Sequence, residues 1–210
     1  MAWLVRLTLS PRSLPVTTGL LDGDQLHRTL MRLLPDDLGE RPRERGGLLY
    51  RVEPGRAGVG LLAQTLVPPR LAALPAELAA TARDRDLRPL LDSLRPGVRV
   101  RYRIVANATK RHGNSAVEAK RGKLKVLRGT EADLWWLRRA TEAGLHPVQV
   151  VSSPVDDVLG ARETRHGLTR FDGVGIVTDP DLLRTAVAEG IGRAKTYGCG
   201  LLSLGPAEAP

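Results

Sequence analysis

Alternating apolar and polar residues predict that the chain opens with a β-strand. Between residues 3 and 9, Trp3, Val5 and Leu7 share one face, as in a strand that buries one side. The next apolar residues have the spacing of one helix face and follow a capping-box pair, Asp22 and Gln25. They are Leu26, Leu30, Leu33 and Leu34. A strand followed by an amphipathic helix is therefore predicted at the N-terminus.

The next segments continue this pattern as β-β-α-β. Residues 48–53 and 59–65 read as two strands around a turn that contains Pro and Gly. Residues 71–94, rich in Ala, Leu and Arg, predict one or two short helices, and residues 98–105 alternate as another strand. The order β-α-β-β-α-β is that of a ferredoxin-like unit. We therefore predict an α+β fold whose N-terminal domain spans residues 1–107.

A second α/β unit, smaller and less regular, is predicted over residues 129–210, after a basic linker at residues 108–128. Its elements are a helix at 130–143, strands at 148–152 and 171–178, a helix at 180–189 and a strand at 201–204. Thr130 and Asp133 have capping spacing at the first of these helices. Trp136 lies in a stripe with alanines, so we interpret the tryptophans as core residues and not as base-stacking platforms.

Composition indicates a folded, basic protein with a polyanionic partner. The 210 residues are 42% hydrophobic, Lys plus Arg number 32 against 23 Asp plus Glu, and the pI is about 10.5. A GC-rich genome would account for Arg over Lys but not for this net charge. The imbalance is steepest over residues 99–128, where ten Lys or Arg accompany one acid, Glu118. Such a block forms a solvated surface or contacts a polyanion, and the nearby His112 and Asn114 favour contact.

Cysteine content and hydropathy restrict the cellular setting. Cys199 is the only cysteine, so no intrachain disulfide can form and a reducing compartment is expected. No segment reaches the roughly 20 apolar residues of a membrane span, and the N-terminus does not have the pattern of a signal peptide. We therefore expect a cytoplasmic protein with no membrane partner.

The most distinctive stretch is a glycine-rich loop, residues 190–200. It contains Gly190, Gly192, Arg193, Lys195, Gly198 and Gly200. Glycine allows positive φ and close approach, and inward-turned N–H groups beside two cations suit a phosphate. The loop lacks the P-loop pattern, and too few residues follow it for a dinucleotide-binding fold. We interpret it as a contact for a polynucleotide backbone; a plain turn before the last strand is the alternative.

Histidine is the residue type that suits RNA cleavage without a metal. The 2′-hydroxyl attacks the adjacent phosphate once a base removes its proton, and histidine titrates near neutral pH. None of the four histidines has metal-ligand spacing, so we predict no metal, no cofactor and no small-molecule substrate. His27 lies at the margin of the apolar face of the first helix. On the residues alone, a partly buried structural histidine is the favoured interpretation.

Six runs spread over nearly the whole chain carry a family resemblance. They are residues 25–30 (QLHRTL), 48–53 (LLYRVE), 100–111 (VRYRIVANATKR), 136–139 (WLRR), 171–173 (FDG) and 190–204 (GIGRAKTYGCGLLSL). The last run is specific and the others are individually modest. In this order they resemble the CasE family, the CRISPR RNA-processing endoribonucleases of Cascade-type systems.

The resemblance implies both a fold and an activity. The fold is two tandem ferredoxin-like domains, the RRM-like arrangement of the RAMP superfamily. The implied activity is metal-independent cleavage of the repeat hairpin of precursor CRISPR RNA, which leaves a 2′,3′-cyclic phosphate. The enzyme would then stay on the guide RNA with the other Cascade subunits.

The resemblance also assigns site residues. His27 matches the catalytic histidine of the family, and Arg28 beside it would steady charge that develops on the phosphate. Asp24 replaces the tyrosine that commonly lies three residues before the histidine. The RNA-binding candidates outside the glycine-rich loop are Arg103, Lys110, Arg111, Arg138, Arg139, Arg162, Arg165 and Arg170.

Three other functions are weighed against endoribonuclease activity. A noncatalytic RNA-binding subunit of the same complex is favoured if Asp24 reflects lost activity. A general basic RNA-binding protein of ribosomal type would show no preference for a CRISPR repeat hairpin. A nucleotide-dependent enzyme has no supporting motif.

Overall fold

Two four-stranded antiparallel sheets and the helices packed on them form the molecule. The computed structural model describes residues 2–9, 23–55, 58–111, 124–159 and 165–207. Its strands are β1 (Trp3–Leu9), β2 (Leu49–Gly55), β3 (Gly58–Thr65), β4 (Arg83–Asp86), β5 (Arg99–Ala106), β6 (Thr109–Arg111), β7 (Leu124–Val126), β8 (Leu145–Leu159), β9 (Arg165–Val177) and β10 (Ser203–Pro206). Its helices are α1 (Gly23–Met31), α2 (Pro42–Gly46), α3 (Ala76–Thr81), α4 (Arg88–Asp92), α5 (Thr130–Glu142) and α6 (Pro180–Glu189), with 3₁₀ turns at Leu71–Ala73 and Lys195–Tyr197.

Both large sheets have the strand order of a ferredoxin-like unit. The first sheet has the order β2-β3-β1-β4, and the second has the order β10-β5-β9-β8. Counted within its own unit, each sheet therefore places the first and third strands in the centre and the second and fourth at the edges. The predicted α+β fold of two tandem ferredoxin-like domains is confirmed.

The predicted domain boundary after residue 107 is wrong. β5 pairs with β9 and β10, so it is the first strand of the second domain and not the last strand of the first. The fourth strand of the first domain is β4, which pairs with β1 inside the segment predicted as helical. Its sequence, RDRD, has no apolar alternation because it is an exposed edge strand. Apolar alternation predicts a strand but does not identify its sheet.

The predicted basic linker also belongs to the second domain. Thr109–Arg111 pairs with Leu124–Val126 as a two-stranded ribbon directly after β5. The segment is therefore an insertion between the first strand and first helix of the second unit, since α5 follows. Residues 112–123, including His112, lie outside the described residues.

Each domain has its own hydrophobic core. The first core joins Leu26 and Leu30 of α1 to Leu7 of β1 and Leu61 of β3. The second core contains Trp135 and Trp136, which are 5% and 0% exposed, as predicted for the tryptophans. The α5 helix is preceded by Gly129 at φ 54°, with no side-chain cap, so the predicted capping by Thr130 is wrong. Asp179 caps α6, because its carboxylate accepts from the N–H groups of Asp181 and Leu182.

Edge strand β2 connects the two domains. On one face of β2, the buried guanidinium of Arg51 donates to the carbonyl oxygens of Arg103 and Leu201, at 3.2 and 3.1 Å. On the opposite face, Tyr50 belongs to the first core and its hydroxyl donates to the carbonyl of Thr196 at 2.7 Å. The domains are thus held together by side chains from both faces of one strand.

Candidate active site

His27 lies on α1 at the edge of the first core. Leu26 and Leu30 anchor this helix, and the neighbouring His27 is partly buried while Arg28 is exposed. The Nδ1 atom of His27 is buried and has no hydrogen-bond partner in the described part of the chain. Burial lowers the pKa of His27 below its ordinary value of 6.5; the charge of Arg43 lowers the pKa further, and Asp24 opposes this shift. The imidazole is therefore biased towards its neutral form at neutral pH.

The ring of Tyr50 packs beside this imidazole. The two ring centroids are 6.4 Å apart and the ring planes differ by 29°. The Tyr50 side chain is 1% exposed, so its ring is fixed between α1 and the loop that carries Thr196. The first-domain helix and the second-domain loop consequently meet at His27.

The glycine-rich loop adopts a folded conformation that requires glycine at its ends. Gly190 has φ 76°, and a Cβ at this position would lie 2.9 Å from both the Gly200 carbonyl oxygen and a Leu49 methyl group. The loop closes through the Ile191 N–H, which donates to the Gly200 carbonyl at 3.0 Å. In turn, the Gly200 N–H donates to the carbonyl of Val105 on β5 at 2.8 Å. The glycines thus fix the loop against both domains.

A cationic groove of ≈ 600 Å³ runs along this loop. We use "the groove" for the space lined by Arg43 of α2, Asn107, Thr109, Leu124, Val126 and residues 192–197. Arg43, Arg193 and Lys195 bring positive charge to it, and none of the described lining residues is acidic. Because opposing negative charge is missing from its walls, the groove suits an anionic chain.

His27 does not line the groove, but α1, which carries it, contacts the 3₁₀ turn Lys195–Tyr197 that does. Burial lowers the pKa of Lys195, and the charge of Arg43 lowers it further, while Glu189 opposes this. Arg43 acts in the same direction on His27. One guanidinium therefore lies within interaction range of both the imidazole and the ammonium group.

Two of the predicted RNA-binding arginines lie on the other side of the domain junction. Arg103 pairs with Asp172 and also with Glu53, which is 3.3 Å away, and Arg170 pairs with Asp172 at 2.9 Å. Together with Arg51, these residues form what we call the sheet-side cluster: Arg51, Glu53, Arg103, Arg170 and Asp172. It lines a second cleft, of ≈ 530 Å³, through Arg51, Glu53, Arg103 and Asp172. Here each arginine of the cluster is paired with a carboxylate, and two carboxylates offset most of the charge of three guanidinium groups.

Four other predicted RNA-binding residues that the structure describes, Lys110, Arg111, Arg138 and Arg139, do not line the groove. Lys110 lies 3.4 Å from Glu131, which also binds Lys125, and Arg138 and Arg139 both pair with Glu142. Arg111 is exposed at the end of β6. Arg162 lies outside the described residues, and so does the side chain of Arg165 on β9.

Sequence reasoning missed Arg43 and the role of Tyr50 as a neighbour of His27. Arg43 lies in a charged run without hydrophobic periodicity, and nothing in the sequence indicates that α2 approaches α1. Tyr50 lies in a run that carried the family resemblance, but its strand position alone does not show which helix it faces.

Neither a cluster of metal-ligand residues nor a membrane-spanning helix is found in the described part of the chain. No group of three or more His, Cys, Asp or Glu residues is arranged to hold a metal ion in that part of the chain. No described helix is long and apolar enough to span a membrane.

Comparison with known proteins places the chain in a family. A family model described as "CRISPR associated protein" matches residues 2–206. CRISPR-associated endoribonuclease Cse3 of Thermus thermophilus is 32% identical over 221 residues, covering 97% of this chain and 100% of that protein. CRISPR system Cascade subunit CasE of Escherichia coli is 28% identical over 198 residues, covering 87% and 91%.

A solved structure agrees with these sequence matches. Thermus thermophilus Cse3 bound to an RNA that represents a pre-cleavage complex superposes with a TM-score of 0.79 and 30% identity, covering 98% of this chain and 99% of that one. The resemblance to CasE drawn from the sequence is confirmed. Because the family model spans almost the entire chain, this protein belongs to the CRISPR-associated family that contains Cse3 and CasE.

Proposed function

We propose that this protein is a metal-independent endoribonuclease that cleaves the repeat hairpin of precursor CRISPR RNA. The product carries a 2′,3′-cyclic phosphate, and the protein stays bound to the mature guide as a subunit of a Cascade complex in the cytoplasm. The observation that carries this proposal is the contact between α1, which carries His27, and the turn that carries Lys195, at a groove that Arg43 and Lys195 line. A general base and uncommitted cations are what cleavage by the 2′-hydroxyl requires.

The chemistry follows from the protonation state of His27. The neutral imidazole accepts the proton of the 2′-hydroxyl, whose oxygen then forms a bond to phosphorus. The bond between phosphorus and the 5′-oxygen breaks, and that oxygen needs a proton as it leaves. Lys195 lines the groove, and its lowered pKa favours donation of that proton. Arg43 stabilises the additional negative charge on the phosphoryl oxygens in the transition state.

Asp24 occupies the position of the family tyrosine. Its charge raises the pKa of His27 and so opposes the effect of Arg43. In this proposal Asp24 tunes the imidazole, and it does not replace the phenol as an acid. Arg28 is exposed next to His27, so it would meet the RNA backbone that flanks the cleavage site.

Hairpin binding is assigned to cations of the second domain. Duplex RNA is recognised mainly through its shape and its phosphates, because its major groove is deep and narrow. Arg193 and Lys195 would bind the strand that enters the groove. Arg162, which lies between β8 and β9 in the sequence, and Arg165, at the start of β9, would bind the stem, with Arg111 and Lys110 as further phosphate contacts.

The test is a His27→Ala variant assayed on a CRISPR repeat hairpin in EDTA. We expect single-turnover cleavage to fall at least about 100-fold, since a positioned acid or base contributes roughly 10²–10⁴. Hairpin affinity should stay within about twofold, because the imidazole carries no phosphate contact in this scheme. His146→Ala is the matched control, since His146 is an exposed histidine on β8. Unchanged cleavage, or lost binding, in the His27 variant would contradict the assignment.

A noncatalytic RNA-binding subunit is the second candidate, favoured by Asp24 in place of the tyrosine. This candidate predicts that the wild-type protein binds the repeat hairpin but leaves it intact. The same assay on wild-type protein, with mass analysis of the RNA ends, separates the two. A 2′,3′-cyclic phosphate on the product would exclude the noncatalytic function.

A further inference from the structure

Among the described residues, Tyr50 is the one whose aromatic ring packs against the imidazole of His27. Its ring lies beside the imidazole, and its hydroxyl donates to the carbonyl of Thr196 on the glycine-rich loop. The same hydroxyl lies 3.3 Å from the carbonyl of Gly23 at the start of α1. At Gly198, a Cβ would lie 3.2 Å from the Tyr50 ring, so the loop backbone also packs closely on this side chain.

We propose that Tyr50 is a positioning residue that sets the orientation of the His27 imidazole relative to the groove. The proposal rests on the proposed endoribonuclease function. The imidazole and the cations of the glycine-rich loop come from different domains, so their relative placement depends on what joins the domains at this point. Tyr50 contacts the imidazole through its ring and donates to the carbonyl of Thr196, the residue after Lys195, through its hydroxyl.

No hydrogen bond among the described residues orients the His27 imidazole through its inner nitrogen. In many sites a base is held by a partner on its second nitrogen, but Nδ1 of His27 is buried and has no partner among the described residues. Ring packing is then what restricts rotation of the imidazole. The nearly parallel Tyr50 ring, 6.4 Å away, supplies that packing.

The phenol of Tyr50 has no direct chemical role in the proposed reaction. Tyr50 is 1% exposed, and its proton is directed at the Thr196 carbonyl. Substrate therefore cannot reach the hydroxyl without breaking this hydrogen bond. Tyr50 consequently does not act as the acid that the family tyrosine would provide at the position of Asp24.

The Tyr50 contact joins His27 to the wall of the groove, and not merely one domain to the other. Arg51, the next residue on β2, also crosses the domain junction, but it binds carbonyls on β5 and beside β10. Neither of those carbonyls lines the groove. The Tyr50 hydrogen bond ends on Thr196, which does line it. Removal of the Tyr50 hydroxyl therefore loosens the groove relative to His27, while Arg51 still holds the domains together.

The test compares Tyr50→Phe with Tyr102→Phe. Tyr102 is a matched control because it is also buried, and its hydroxyl donates to the Gln149 carbonyl at 2.8 Å, within the second domain and away from the groove. Both variants keep the ring and lose the hydroxyl, which in Tyr50 donates to the Thr196 carbonyl and has a longer contact with the Gly23 carbonyl, and in Tyr102 donates to the Gln149 carbonyl. Rates are measured at a temperature at which thermal unfolding shows both variants to be fully folded.

We expect Tyr50→Phe to slow single-turnover cleavage about five- to tenfold, with hairpin affinity within twofold of wild type. Tyr102→Phe should cleave at the wild-type rate, although it loses a comparable hydrogen bond. A second variant, Tyr50→Leu, removes the ring as well and should cleave more slowly than Tyr50→Phe.

Other outcomes overturn the proposal. Equal rates for Tyr50→Phe and Tyr102→Phe would show that Tyr50 has a structural role only. A Tyr50→Phe variant that loses hairpin affinity but keeps its cleavage rate would show that the contact shapes binding and not the imidazole. Absence of cleavage by wild-type protein would refute the endoribonuclease function itself, which is a separate result.

Discussion

The two arginine-rich surfaces at the domain junction differ in their carboxylates. In the sheet-side cluster, each of the guanidinium groups of Arg51, Arg103 and Arg170 forms an ion pair with Glu53 or Asp172, so two carboxylates offset most of the charge of three arginines. In the groove, no ion pair joins Arg193 or Lys195 to a carboxylate among the described residues. Arg43 has one long contact, 4.0 Å, with its neighbour Glu44. Similar cations therefore serve two purposes, according to what faces them.

This difference separates a stabilising role from a binding role. Arg51 is 2% exposed and donates hydrogen bonds to acceptors in both domains, so its charge stabilises the folded state. A cation without a nearby carboxylate can release counterions when it meets a phosphate, which is the main source of affinity for nucleic acids. The net charge of the chain includes the paired and the unpaired cations alike, so it does not distinguish the two surfaces. We therefore expect substitutions on the two surfaces to affect different measurements.

The largest effect on stability is expected from Glu53→Ala. In this variant the buried guanidinium of Arg51 would lose the carboxylate that lies 2.8 Å from it. Its hydrogen bonds to two backbone carbonyls and to the Ser203 hydroxyl would remain. We expect a loss of about 3 kcal/mol in the free energy of unfolding, the lower end for a broken buried pair. Urea unfolding followed by circular dichroism measures this change.

The control for Glu53→Ala is Glu142→Ala. Glu142 also pairs with two arginines, Arg138 and Arg139, but all three side chains are 42–55% exposed. Exposed pairs contribute little, so we expect a loss below about 0.5 kcal/mol. Similar losses in the two variants would mean that burial does not distinguish the sheet-side cluster from an ordinary surface pair.

The second prediction tests binding, by comparing Arg193→Ala with Arg103→Ala. Arg193 lines the groove, and its loss should weaken hairpin affinity about tenfold, as for a charge-assisted hydrogen bond. The slope of log affinity against log salt should fall by roughly 0.7–0.9, the value for one phosphate contact. Arg103→Ala should leave both quantities unchanged and lower stability instead. Fluorescence anisotropy over a salt series measures affinity and slope; a slope change in Arg103→Ala alone would reverse the assignment.

The apolar pattern of the sequence predicts some strands and helices of the fold and not others. Apolar periodicity identified β1, α1, the β2–β3 hairpin, α5 and α6, because each buries one face in a core. It did not identify β4, whose residues are all charged. It also assigned β5 to the wrong sheet, because the alternation of apolar and polar residues in a strand does not depend on which strand it pairs with.

The site was predictable only in part, for a related reason. His27 and the glycine-rich loop were identified through local patterns and resemblance. Whether an arginine is neutralised depends on carboxylates distant in sequence: Arg103 meets Glu53 and Asp172 from two other strands. The density of Lys and Arg along the sequence therefore placed Arg103 among the RNA-binding candidates, together with Arg193 and Lys195 of the groove. Three-dimensional pairing separates them.

The smallest predicted effect is on the pH dependence of cleavage. Burial lowers the pKa of His27 most, Arg43 lowers it further and Asp24 raises it. If the neutral imidazole is the base, the rate rises with pH through this pKa, so the acid limb of the profile should lie below pH 6.5. Arg43→Gln removes a positive charge and should move the limb to higher pH. Asp24→Asn removes a negative charge and should move it to lower pH.

The measured quantity is the pH at which the acid limb of the profile lies, and not the maximal rate, because Arg43→Gln also weakens the interaction with phosphate. Arg45→Gln is the matched control on α2, since the Arg45 guanidinium donates to the carbonyl of Leu38 and does not contribute to the shift of His27. Its profile should coincide with that of wild type. Single-turnover rates from pH 4.5 to 8 locate each limb. Shifts of Arg43→Gln and Asp24→Asn in the same direction would mean that the titrating group is not the imidazole between these two charges, and the groove would then lose its base.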